Sequence, residues 1–203
     1  MSDVIEELLA GNRRFVAGDF ASHRDYYHAQ SQSQRPKILW IGCSDSRVSE
    51  HVITDSKPGT IFVHRNVANI VSFNDVNIAA IVEYALDHLE IPDIVVCGHY
   101  KCGGIAALDE GISSHYIADW LLIGSGAKEA VDRIAAAQAL PRDAKLRLLV
   151  EENVRLQIKH LRNLSLVKHR RPPAMIPRIH GWVYCMDTGG IRAVVDGSSA
   201  GMV

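Results

Sequence analysis

The 203-residue sequence predicts an α/β fold: a mainly parallel central β-sheet flanked by helices, with an N-terminal helical arm and a C-terminal edge hairpin. Three observations carry that prediction. Apolar runs at residues 37–42, 60–64 and 93–98 have the length and composition of strands buried on both faces. Segments of helical period separate or follow them, at residues 74–89, 116–140 and 143–164. Two late runs, 180–185 and 191–195, are joined by Asp187-Thr-Gly-Gly190, the signature of a hairpin.

In chain order, residues 3–16 form an amphipathic helix, with Asp3 and Glu6 spaced as a capping box and Arg13 and Arg14 suited to the negative end of its dipole. Residues 18–36 are polar and end in a Ser/Gln-rich stretch, which predicts an exposed connecting arm. Residues 1–36 are thus expected to be the helix and arm of a single domain covering 1–203, packing on a partner subunit. Lys57-Pro-Gly59 is a turn that launches the second strand. Asn74 and Asp75 can cap the next helix, which places Ile78, Ile81, Val82, Ala85 and Leu89 on one face. Pro92 ends it. Gly103-Gly104 opens a short helix over 105–108, and 109–114 reads as a loop. The segment 116–140 is expected to break at Gly124 and Gly126. Residues 143–164 carry Leu146, Leu149, Val150, Val154, Ile158 and Leu161 at helical spacing, and the basic, proline-bearing stretch 168–177 reads as a solvated connection. Cys97 and Cys185 lie in apolar runs and are assigned to the core.

Composition excludes several classes. Twenty-two basic against 23 acidic residues leave no basic excess for a nucleic-acid or membrane-surface protein. No apolar stretch is long enough to span a bilayer, and the acidic N-terminus lacks the apolar core of a signal peptide. Four cysteines without a framework spacing suit a reducing compartment, so a cytoplasmic location is expected.

Two motifs carry the chemistry. Cys43-Ser-Asp-Ser-Arg47 follows the first strand and His99-Tyr-Lys-Cys102 follows the third. Parallel strands deliver the loops after their C-terminal ends to one edge of a sheet, where α/β proteins place their sites. Two thiols and an imidazole there make a Cys₂His set, three protein ligands for zinc with a fourth position open. Asp45 and Arg47 are two apart and can pair, the guanidinium fork fixing the carboxylate and keeping it ionised. An oriented carboxylate beside a zinc-held water accepts its hydrogen and leaves a lone pair aimed at the substrate. Two thiolates neutralise the zinc charge, so activity is expected to rise on the alkaline side of neutrality. The spacing from Cys43 to Arg47 is too short for the phosphate-wrapping loop of a thiol phosphatase, and no Cys-x-x-Cys is present.

These stretches resemble the β-class carbonic anhydrases. The matching segments are Trp40-Ile-Gly-Cys-Ser-Asp-Ser-Arg-Val48, Phe62-Val-His-Arg-Asn-Val-Ala-Asn69, Glu83-Tyr-Ala85, Cys97-Gly-His-Tyr-Lys-Cys-Gly-Gly-Ile105 and His180-Gly-Trp-Val-Tyr184. The resemblance implies reversible hydration of carbon dioxide to bicarbonate and a proton, by attack of zinc-bound hydroxide. It implies one Zn²⁺ per chain on Cys43, His99 and Cys102, and a catalytic dyad of Asp45 and Arg47. Gln34, Phe62, Val67, Tyr84 and the backbone N–H of Gly103 fall where the family lines its substrate pocket. In the family, Gln34 and Tyr84 typically come from the neighbouring subunit. A homodimer is therefore implied, with pairing into a homotetramer as a further state. The chain stops soon after its last strand, without the C-terminal helix of some relatives, which supports the dimer more than the tetramer.

Family members with Trp and Gly before the first Cys, an Arg after the second strand and a Tyr in the late strand can bind bicarbonate away from the metal. Trp40, Gly42, Arg65 and Tyr184 match that pattern. In that closed state Asp45 leaves Arg47 and becomes the fourth zinc ligand. The competing assignment makes Trp40 and Tyr184 core aromatics and Arg65 a structural ion-pair partner. Ser49-Glu-His51 departs from the Pro-containing continuation common in the family, without touching the metal set; His51 reads as an exposed bystander rather than a proton shuttle. Two other functions fit the same scaffold: hydrolysis of carbonyl sulfide or carbon disulfide, and a non-catalytic zinc-containing oligomer. Retention of both Asp45 and Arg47 argues against the latter.

Overall fold

A computed structural model of the chain describes residues 3–113 and 115–197. Residues up to Arg35 make one compact unit and those from Pro36 onward a second.

The first unit begins with α1 (Asp3–Phe15), whose last-turn Arg13 reaches back to Glu6 at 2.7 Å. The polar arm expected after it is largely helical. A wide turn at Val16–Phe20 leads to α2 (Arg24–Gln32). Its periodicity is weak because few apolar residues mark it. An aromatic cluster holds it instead, Tyr27 stacking on Phe20 at 5.0 Å and meeting Phe15 edge-on at 5.4 Å, with its hydroxyl donating to Asp19.

The second unit is built on five strands in the order β2-β1-β3-β4-β5: β1 (Ile38–Cys43), β2 (Ile61–Asn66), β3 (Asp93–His99), β4 (Arg178–Tyr184) and β5 (Ile191–Val195). The first four run parallel and β5 pairs antiparallel with β4, as the hairpin pattern predicts. β1 and β3 are buried almost throughout, which explains their unbroken apolar sequence. After β1 the chain moves outward to β2, then returns to the other side of β1 for β3. The C-terminal ends of β1 and β3 therefore flank the point where strand order reverses, the place where open α/β sheets bind ligands.

The helices are α3 (Glu50–Ile53), α4 (Val76–Glu83), α5 (Gly103–Glu110), α6 (His115–Leu121), α7 (Ser125–Gln138), α8 (Arg142–Asn163) and α9 (Ser165–Lys168). Asp75 caps α4, its carboxylate accepting from Asn77 N–H at 2.9 Å. The expected break at Gly124 is real, a short 3₁₀ turn ending there, but Gly126 lies inside α7. Asp109 and Glu110, expected in a loop, complete α5.

The main core lies between the sheet and α8, which buries Leu149, Val150, Val154, Ile158 and Leu161. The helix sits close because the strands offer glycine: a Cβ on Gly181 would come within 2.7 Å of Ile158 Cδ1, and one on Gly98 within 2.9 Å of Val154 Cγ2. A smaller cluster of Trp40, Ile61, Val95 and Cys97 packs on the other face. Cys97 is core, as expected. Cys185 lies at the core's margin: it is just past β4, half-buried against the main core, with a hydrogen bond from Thr188 that lowers its thiol pKa. The basic connection is not wholly solvated, since Arg170 folds back onto Asp87 at 2.6 Å with its side chain only 10% exposed. Among the described residues, no helix is long and apolar enough to cross a membrane.

Candidate metal centre

Cys43 ends β1 and His99 ends β3, and parallel pairing of the two strands brings their termini side by side. Cys102 follows three residues later as the N-cap of α5, after a tight turn in which Lys101 takes a positive φ of 61°. The three side chains are buried and their ligand atoms all lie within 4.8 Å of one another. The two sulfurs stand 3.8 Å apart. Two sulfurs each about 2.3 Å from a tetrahedral zinc would be about 3.8 Å apart, so the spacing fits that ion without adjustment. His99 Nε2 is buried without a hydrogen-bond partner, while Nδ1–H donates to the Tyr100 carbonyl at 3.1 Å. A buried ring nitrogen left bare while its twin is engaged is the pattern of a metal-ligating histidine. The donor set thus fits zinc on three counts: ligand chemistry, spacing and the orphaned nitrogen.

The thiols are electrostatically divided. The hydrogen bond from Cys102 is the chief cause that lowers the Cys43 pKa, with His99 and the backbone N–H groups of Ala68 and Asp45 assisting against burial. The same bond, with burial, raises that of Cys102, opposed by N–H groups of Ile105 and Gly104. Nearby backbone amides thus favour the thiolate at both cysteines.

Asp45 and Arg47 pair as their spacing suggests. Arg47 Nε donates to Oδ1 at 2.9 Å, Nη2 to Oδ2 at 2.7 Å, and the Arg47 backbone N–H to Oδ1 at 3.0 Å. The fork holds the Asp45 carboxyl well below the usual carboxylate range. Oδ2 lies 3.8 Å from His99 Nε2, so the carboxylate borders the triad while Arg47 retains both oxygens.

The residues expected to line a pocket fall into separate places. Val67 is half-exposed and abuts Gly104, whose added Cβ would approach Val67 Cγ1 at 3.0 Å, and Gly103 opens α5 beside Cys102. Phe62 and Tyr84 pack on each other at 5.8 Å. Gln34 belongs to the first unit, exposed after α2. A groove of about 910 Å³ adjoins Val67, lined by Asn66, Asp75, Tyr116, Ile117, Trp120 and Ile123 among others.

Trp40, Arg65 and Tyr184 lie toward the face of the small cluster, with Trp40 buried and Tyr184 packed at its margin. Gly42 makes room for the indole, since a Cβ there would meet Trp40 Nε1 at 2.4 Å. Arg65 is engaged with backbone: Nε donates to the Cys43 carbonyl at 2.9 Å, and Nη2 to those of Asp45 and Val48 at 2.7 Å each. His51 sits on α3 beside Glu50 at 3.3 Å.

Sequence reasoning missed the supports behind the triad. Tyr100, between two of the ligands, is buried and donates to Glu151 on α8 at 2.7 Å. Asn153, also on α8, donates to the Ala68 carbonyl at 3.0 Å. Their signal was present, as polar residues at core positions of an apolar helix.

Comparison with known proteins agrees with this geometry. A family model described as carbonic anhydrase matches residues 38–191. The Pseudomonas aeruginosa carbonic anhydrase is 36% identical over 205 residues, covering 98% of this chain and 89% of the relative. The Synechocystis carbonic anhydrase is 35% identical over 198 residues, covering 93% and 70%. Among solved structures, a tetrameric β-carbonic anhydrase of Sordaria macrospora superposes with a TM-score of 0.87 at 32% identity, covering 95% of this chain and 97% of that one.

Proposed function

Because the chain belongs to the β-class carbonic anhydrases, we propose that it hydrates carbon dioxide at a zinc ion held by Cys43, His99 and Cys102, with Asp45 and Arg47 as the catalytic dyad. The observation that carries this reading is one constellation: three buried ligand atoms within 4.8 Å and, bordering them, a carboxylate forked by a guanidinium. When bound, zinc supplies a Lewis acid that makes water nucleophilic near neutral pH.

The chain's own residues do the rest. Asp45 Oδ2, next to the triad, accepts a hydrogen from the attacking water and so aims its remaining lone pair. Arg47 keeps that carboxylate charged and fixed in rotation, which a single hydrogen bond would not do. The apolar side chains of Val67 and Phe62, with the Tyr84 ring, suit a linear apolar substrate. The Gly103 N–H, in the first turn of α5 and without an intrahelical partner, can donate to the substrate oxygen that gains charge. Gln34 and Tyr84 join this pocket from a second subunit in the proposed homodimer. Exposed Val4, Ile5, Leu8 and Leu9 on α1, and exposed Tyr116, Ile117 and Leu122 on the second unit, are the apolar surfaces such an assembly would cover.

Asp45→Ala tests the dyad. The variant is expected to keep one zinc per chain while its hydration rate falls by about 100-fold, the upper range for losing a residue that orients a metal site. Wild-type turnover in that variant would remove Asp45 from the mechanism.

A further inference from the structure

We propose that Glu151 and Asn153 of α8 are positioning residues for the metal centre, each securing one of the two segments that deliver its ligands. The proposal rests on the assignment of Cys43, His99 and Cys102 as zinc ligands. Residues two apart on an α-helix project roughly 200° apart around its axis, so these two serve different flanks of α8.

Glu151 acts through Tyr100. The phenol donates to Glu151 Oε1 at 2.7 Å, and Arg192 of β5 donates to the same oxygen at 2.8 Å. The Arg147 guanidinium lies 3.7 Å above the Tyr100 ring, and the Tyr100 N–H donates to the Tyr184 carbonyl at 3.0 Å. Ring, hydroxyl and amide of Tyr100 are thus all held. The Tyr100 carbonyl is the acceptor for His99 Nδ1–H at 3.1 Å. That bond sets the tautomer and ring angle presenting Nε2 to the metal.

Asn153 acts through Ala68. Its amide donates to the Ala68 carbonyl at 3.0 Å, and Gln157 fixes it in turn, donating to Asn153 Oδ1 at 2.8 Å while accepting from Val71 N–H at 2.8 Å. Ala68 has a φ of 64°, a left-handed conformation that an alanine holds only under outside support. Its N–H lies near enough to the Cys43 sulfur to help lower that thiol's pKa. Both chains of contacts thus start at a buried polar residue of α8 and end beside a proposed zinc ligand, His99 in one case and Cys43 in the other. Burying Asn153 at 1% exposure among Val150 and Val154 carries a desolvation cost that an apolar residue would not.

The test uses the zinc-loaded protein and two readouts besides activity: the rate of zinc release to a chromogenic chelator, and the visible spectrum of the cobalt-substituted form. Tyr100→Phe, which keeps the ring beneath Arg147, and Asn153→Leu are each expected to release zinc about tenfold faster and to shift the cobalt bands. Glu151→Gln, which keeps an acceptor for the phenol, should release zinc more slowly than Glu151→Leu. Combining Tyr100→Phe with Glu151→Leu should add little to either, whereas combining it with Asn153→Leu should multiply the two effects. Unchanged release and spectra in Tyr100→Phe and Asn153→Leu, with only the melting temperature lowered, would reduce both residues to structural parts and overturn the proposal. Wild-type protein run in parallel separates the two levels: failure of the wild type itself to retain zinc would overturn the ligand assignment, and this inference with it.

Discussion

The two segments that meet at the metal centre are secured by opposite means. The loop from Cys43 to Val48 is held by charge: Arg65 binds three of its carbonyls and Arg47 forks its Asp45, with the Arg47 side chain 57% exposed. The turn from His99 to Cys102 is held by burial and by α8, with Tyr100 at 3% exposure. The difference follows from what each contributes. Two ligands require a dry, rigid seat, because a coordinating thiolate or imidazole must not wander. The proposed dyad would require access to substrate and water, and its segment stays near the surface and borrows rigidity from ionic hydrogen bonds.

Removing a ligand from either segment should have the largest effect. His99→Ala and Cys43→Ala are expected to lose zinc outright, and hydration should fall to the uncatalysed background; metal analysis and rate on the same sample check both. On the exposed side, Arg47→Ala should keep zinc and lose roughly 10- to 100-fold in rate, since Asp45 remains but swings free. Arg65→Met removes the charged anchor while keeping its stem. It should cost roughly 1.5–3 kcal/mol in urea unfolding, the range for hydrogen bonds to a charged group, with zinc still bound. Zinc loss in Arg65→Met would mean that the two segments are not independently secured.

The smallest expected effect concerns two histidines outside both segments, His64 buried and His160 partly buried. Burial lowers the pKa of His64 and of His160 from the ordinary value of 6.5. Between that value and the lowered one the unfolded chain binds more protons than the folded one, so stability rises with pH there. The melting temperature should therefore fall as pH drops below 6.5 and level off once both residues protonate in the folded state. Replacing His160 by Gln should flatten part of that slope.

Sequence reveals the exposed segment better than the buried one. Cys43, Asp45 and Arg47 sit in one short motif after an unmistakable apolar run, and their pairing follows from spacing alone. The buried segment's supports lie some 50 residues away on α8, and Glu151 and Asn153 look there like interruptions of an apolar face. Only the packing of α8 across β3 and β4 turns them into partners of Tyr100 and Ala68. The same holds for the fold. Strands β1 and β3 announce themselves because both faces are buried, while α2 does not, since aromatic contacts rather than an apolar stripe hold it. Cys185 shows the converse: an apolar neighbourhood in sequence suggests full burial, yet the strand ends one residue earlier and leaves the thiol at the core's margin.

In the proposed mechanism the buried ligands hold zinc so that the exposed dyad can use it. Stopped-flow hydration of carbon dioxide at about pH 8.5, on wild-type protein whose zinc content is measured in the same sample, tests it most directly. One zinc per chain and fast turnover are expected. Stoichiometric zinc without turnover would contradict the mechanism, leaving a metal site that the Asp45–Arg47 pair does not put to work on carbon dioxide.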